Sequence, residues 1–218
     1  MEYSNRKEKF IRFFCTILLL SIIYILWFSV VEKWLYQYSG FRQITNQNLI
    51  FTLAPKRGVF FLFLSACFIT PVLEEILFRA PVIFSPKNIS LFIGGVSYII
   101  ITKTLHINSW KILFLIGAIS GVFIYKIWST FLIKKEIKIL TTKKMIVVFT
   151  IITSLIFGAV HTLNYSQVNI YSLILTIPIV FSGFGLAYIR IKNGLIWSIV
   201  LHSIHNLPLA IVLLIYQL

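Results

Sequence analysis

The chain has 218 residues, 59% of them hydrophobic and 16% aromatic, with a mean hydropathy of +0.93. An ordinary soluble domain runs at about 45–50% apolar residues, so this composition excludes one and points to a polytopic membrane protein. The net charge of +14 comes from Lys and Arg in short clusters between apolar runs. Those clusters form no basic, aromatic-interleaved face, which excludes a nucleic-acid partner and leaves membrane topology as their explanation.

In chain order, a basic segment precedes a first apolar run, 11–31, that carries no small-residue cleavage site and reads as a retained span. The following runs are 59–84, 89–102, 112–133, 145–163, 169–189 and 194–217, judged against the roughly 20 residues needed to cross the hydrocarbon core. The fold class is therefore all-α, a transmembrane helical bundle of seven or eight spans. Run 89–102 is short and holds Gly94 and Gly95, so a tilted span and a re-entrant piece both fit it. Pro71 interrupts the second run and predicts a kink or restart just before Glu74 and Glu75. Segment 32–58 has room for an interfacial helix.

Seven spans with the N-terminus inside put Arg6, Lys7, Lys9, Arg12, Arg79, Lys87, Lys134, Lys135, Lys138, Lys143, Lys144, Arg190 and Lys192 on the cytoplasmic side. Only Lys33, Arg42, Lys56, Arg57, Lys103 and Lys111 fall outside, a bias that predicts a cytoplasmic N-terminus. Lys126 lies within the fourth run and can snorkel. Gly117 with Gly121, and Gly183 with Gly185, suit close helix packing, within one chain rather than between two. Cys15 and Cys67 stand isolated in apolar runs and predict neither a disulfide nor a zinc ribbon.

Three runs carry polar groups that lipid does not tolerate without a reason. Glu74, Glu75 and Arg79 lie in the second. On a helix Glu75 and Arg79 are i and i+4, with the acid N-terminal, whereas Glu74 is about 100° away around the axis. Arg79 can then neutralise Glu75 and leave Glu74 for chemistry; the bland alternative is a buried network that only fixes packing. Phe157 and His161 share a face at the end of the fifth run. His202 and Asn206 share one in the seventh, and His205 either lines the same cavity or faces a neighbouring helix. His106, in a polar loop, reads as a surface residue.

Glu-Glu-x-x-x-Arg at 74–79, Phe-x-x-x-His at 157–161 and His-x-x-x-Asn at 202–206 occur in that order on separate runs. The pattern resembles the CPBP intramembrane endopeptidases, which include the CAAX prenyl proteases and the Abi-type bacteriocin-immunity proteins. The resemblance covers about 71–210, implies a protease core over 59–218 after a first span and connecting segment over 1–58, and implies a polar intramembrane catalytic cavity. Two departures stand out: Ala80 follows the Arg where many members have Gly, and the long stretch from Glu74 to His161 suggests an inserted helical hairpin.

The resemblance implies an endopeptidase acting on a peptide or a membrane-associated protein, in a bacterial plasma membrane, serving bacteriocin maturation or self-immunity. The groups can supply what peptide hydrolysis needs. Glu74 and His161 would bind and deprotonate water, with Glu74 then protonating the leaving nitrogen. His202 and Asn206 would donate to the oxyanion. Glu75, Arg79 and Phe157 would support them. No cofactor is required on this reading. The rival is a zinc site of Glu74, His161 and His202 with water in the fourth position. A non-catalytic membrane regulator or immunity protein, bound to a membrane partner, is the alternative from another class, and a small transporter with a proton relay is a further one. Depth counting at about 1.5 Å per residue puts Glu74 and His202 roughly 15 Å from the inner ends of their runs but His161 roughly 24 Å in. The first two depths imply a site that opens toward the cytoplasm.

Overall fold

The computed structural model describes residues 5–39, 58–105, 109–134, 142–165 and 168–215. His106, Lys135, Lys138 and most of the segment suited to an interfacial helix lie outside them. The described residues are helical almost throughout, which bears out the all-α expectation. The helices are α1 Arg6–Trp27, α2 Lys33–Ser39, α3 Val59–Leu64, α4 Thr70–Phe78, α5 Pro86–Thr104, α6 Trp110–Lys134, α7 Lys143–His161, α8 Ile170–Leu175, α9 Ile177–Asn193 and α10 Leu195–Ile215. Among the described residues, five stretches are long and apolar enough to cross a membrane by length and composition: Arg6–Leu35, Phe60–Phe78, Lys111–Leu132, Lys143–Asn164 and Ile170–Asn193.

Lipid as solvent explains the surface. Phe10, Leu18, Ile25, Phe60, Ile119, Phe123 and Ile196 are exposed, whereas Ser90, Ser154, Ser172, Ser182 and Ser198 are buried. Three of these hydroxyls donate to backbone carbonyls, Ser90 to Pro86, Ser172 to Asn169 and Ser198 to Leu186.

Several boundaries differ from the apolar runs. The second run continues apolar to residue 84, yet α4 stops at Phe78. Pro81 has no N–H to continue the ladder and disfavours helix in the residue before it, so the last amides of Arg79 and Ala80 both turn back to the Glu75 carbonyl at 2.9 Å. The third run is longer than its apolar core: Ser85 caps it by accepting from the Asn88 N–H at 3.2 Å, and Pro86 starts a helix of 19 residues. That is about 28 Å of helix. The sixth run is two helices. α8 opens with a capping box between Asn169 and Ser172, and α9 restarts after Thr176 with Pro178 in its first turn.

Two π-turns widen otherwise continuous helices, at Phe28–Glu32 between α1 and α2 and at Ser65–Ile69 between α3 and α4. The second is the form that the disturbance expected at Pro71 takes.

The chain divides into two compact units, 1–72 with 150–218, and 73–149. In the first, α9 and α10 are joined through Gly194, whose φ of 109° suits glycine. α1 packs on both. Phe13 meets Trp197 edge-on at 5.5 Å, Leu20 and Thr16 lie against Gly185, and the Asn193 side chain donates to the Lys9 carbonyl at 2.8 Å. A Cβ on Gly183 would come within 3.0 Å of the Ser154 backbone, so α7 and α9 touch through small residues. A small apolar cluster of Leu35, Tyr165 and Leu175 ties α2 to α8.

The second unit is built on an antiparallel pair, α5 and α6. A Cβ on Gly94 would lie 2.7 Å from the Gly121 carbonyl oxygen, and one on Gly121 would lie 3.0 Å from the Gly94 oxygen. Only hydrogen at both positions lets the backbones approach this closely. The glycine pairs in α6 and α9 are thus packing devices within the chain.

Candidate active site

The acidic motif runs through the last turns of α4, with Arg79 just past its end. Glu75 and Arg79 are both fully buried, with Nε 3.8 Å from a carboxylate oxygen. The i, i+4 spacing therefore forms the ion pair it predicts. Glu74 is half-buried, and its charge also acts on Arg79. Packing holds this segment, since Gly95 of α5 leaves room for Ile76 and Leu77 beside the acids.

The histidine motifs lie in the first unit, gathered on one aromatic ring. Phe157 is 2% exposed. Its ring meets His161 at 4.5 Å and 63° and His202 at 5.6 Å and 85°, both edge contacts. His161 is the last residue of α7, and its Nδ1 lies 2.7 Å from the Phe157 carbonyl. A carbonyl only accepts, so Nδ1 carries the proton and a neutral ring presents Nε2 as an acceptor. An imidazole held in that tautomer is set to receive a proton from water. His202 is buried against the same ring.

Asn206, one turn on from His202, uses its side-chain amide to donate to the Ala66 carbonyl at 3.0 Å. His205 contacts neighbouring helices: Nε2 lies 3.5 Å from the Ser182 hydroxyl of α9, and its ring meets Tyr24 of α1 at 4.7 Å. Contact with neighbouring helices, one of the two readings for His205, is present in the structure. The Ala66 carbonyl and the contacts of His205 with Ser182 and Tyr24 had no sequence signal beyond Pro71, because a backbone acceptor and a hydroxyl in an apolar run look like packing.

Residues 56–208 match the family model described as type II CAAX prenyl endopeptidase Rce1-like. The chain belongs to this family. No curated protein and no solved structure matches it. As a member of the Rce1-like family it is a CAAX-type endopeptidase embedded in the membrane, a hydrolase acting on peptides at the lipid bilayer. The Rce1-like match takes in all three motifs, whereas α1 and α2 precede it. Within either unit, among the described residues, no three His, Cys, Asp or Glu side chains gather as a metal site. The zinc reading draws its ligands, Glu74, His161 and His202, from both units.

Proposed function

We propose that this protein hydrolyses a peptide bond of a membrane-associated substrate with water activated by Glu74 and His161. The observation that carries this reading is the His161 tautomer, fixed by the Phe157 carbonyl so that Nε2 accepts. Glu74, half-buried beside a Glu75 already committed to Arg79, is the acid left for proton transfer. It takes the water proton and delivers it to the leaving nitrogen. His202 donates to the oxyanion, where loss of one donor typically costs about 10²–10³ in kcat. Asn206 is the second donor of the sequence reading; one of its two amide hydrogens already goes to Ala66.

We assign residues 1–58 to a first span and connecting segment, supported by a family match that begins at 56. The charge bias supports a cytoplasmic N-terminus for a bundle of seven or eight spans, and the bacterial plasma membrane rests on the resemblance. The biological setting we assign is maturation of, or self-immunity to, a bacteriocin, which rests on the Abi side of the resemblance.

The test is cleavage of a quenched fluorescent membrane peptide by purified protein in nanodiscs, with Glu74→Gln and His161→Asn beside it. Both variants should fold and lose at least about 10² in kcat. Full activity in either one removes that residue from the chemistry. Metal analysis of the active protein, with cleavage followed through chelation, separates the mechanisms. One zinc per chain, with activity lost on its removal and regained on its return, would replace the metal-free scheme by the three-ligand one.

A further inference from the structure

In an α-helix the Ala66 carbonyl would receive the N–H of Thr70. At the π-turn that N–H reaches back one residue further, to Ser65. The next N–H along the widened turn would belong to residue 71, which is a buried proline and has none. Two local features, the widened turn and Pro71, therefore combine to deprive one carbonyl of its helical donor. An unpaired buried carbonyl is costly, and in lipid there is no water to meet it. The Asn206 amide reaches it from α10 at 3.0 Å. α10 also packs along α3 and the π-turn, which makes the reach possible.

The consequence is angular. A π-turn accommodates an extra residue, and each residue is about 100° of helix rotation, so its presence or absence decides which way α4 turns the side chains that follow. Glu74 lies three residues beyond Pro71. We propose that Asn206 is a positioning residue: its amide supplies the hydrogen bond that Pro71 withholds from Ala66 and so holds the wide turn that sets the direction of Glu74. The kinetic part of this inference rests on the endopeptidase reading, whereas the stability part does not.

The experiment is a double-variant cycle on the full-length protein in nanodiscs, with Asn206→Ala, Pro71→Ala and both together. Asn206→Ala should lower Tm by several degrees and cut kcat with KM within about twofold, as expected when a catalytic group is misdirected and binding is intact. Pro71→Ala restores an N–H at the deprived carbonyl. Adding it to Asn206→Ala should therefore return part of the lost Tm and part of the lost kcat, a non-additive result that a pure packing role cannot give. Strictly additive Tm changes would overturn the proposal, because the amide would then have no shared partner with Pro71. Recovery of Tm with kcat left at the Asn206→Ala level would also overturn it, and would place the amide on the reacting oxygen. Should the wild type cleave no peptide, the endopeptidase reading falls while the Tm cycle still decides the carbonyl contact.

Discussion

Replacing Glu75 by Ala tests the division of labour inside the acidic motif. Both partners of the Glu75–Arg79 pair are fully buried and 3.8 Å apart. Breaking a buried pair by removing one member typically costs about 3–5 kcal/mol, because the other charge is left uncompensated. The Glu74 charge remains near Arg79, so Glu75→Ala should fall at the lower end, about 3 kcal/mol. Arg79→Ala strands two carboxylates and should fall at the upper end, about 5 kcal/mol or more. For a chain of this size each kcal/mol moves Tm by about 2–4 °C, so the two losses span roughly 6–20 °C. The double change Glu75→Ala with Arg79→Ala removes both members and should be milder than Arg79→Ala alone. The assay is thermal unfolding in nanodiscs together with folded yield. If the double variant equals the sum of the singles, or if Glu75→Ala leaves Tm unchanged and abolishes cleavage, the ion-pair reasoning is refuted and the two glutamates exchange roles.

Other outcomes follow from the same geometry. Glu74→Ala should abolish cleavage and leave Tm nearly unchanged, since an apolar side chain relieves a desolvated carboxylate; a large fall in Tm would show Glu74 to be structural. Phe157→Ala should lose about 3–5 kcal/mol in unfolding measurements by opening a cavity between two imidazoles, while Phe157→Leu should keep more of both stability and activity. Gly94→Ala should cost about 1–3 kcal/mol in the same assay, because its Cβ would meet the Gly121 backbone at 2.7 Å. For topology, single cysteines at 138 and 168 in a chain with Cys15 and Cys67 replaced should label oppositely from outside intact cells. Val168 is exposed and should react; reaction at 138 instead would invert the orientation.

Much of the helical content was legible because the apolar runs are long, but lipid-facing helices give length without direction. On α1, Phe10, Ile11, Phe14 and Leu18 are all exposed although all are apolar, so the usual amphipathic stripe is missing. The end of α4 at Phe78 and the break at Thr176 fall inside apolar runs for the same reason, and only Pro81 and Pro178 mark them. The Glu75–Arg79 pair was readable because helix geometry alone fixes an i, i+4 contact. The depth count failed for His161 because it assumed that all runs begin at one level. His161 closes α7 whereas His202 lies two turns into α10, and both still reach Phe157. A residue at the end of one helix and a residue two turns into another thus meet one ring, and no residue pattern records the relative level or tilt of two helices.

Phe157 serves His161 with two different parts of itself. Its carbonyl accepts the hydrogen bond from Nδ1–H and its ring meets the imidazole in an edge contact. Five consecutive residues at the end of one helix thus bear on both the protonation pattern and the aim of a base. The spacing of four in Phe-x-x-x-His then acts as a ruler: one residue more or fewer separates the ring from both supports at once.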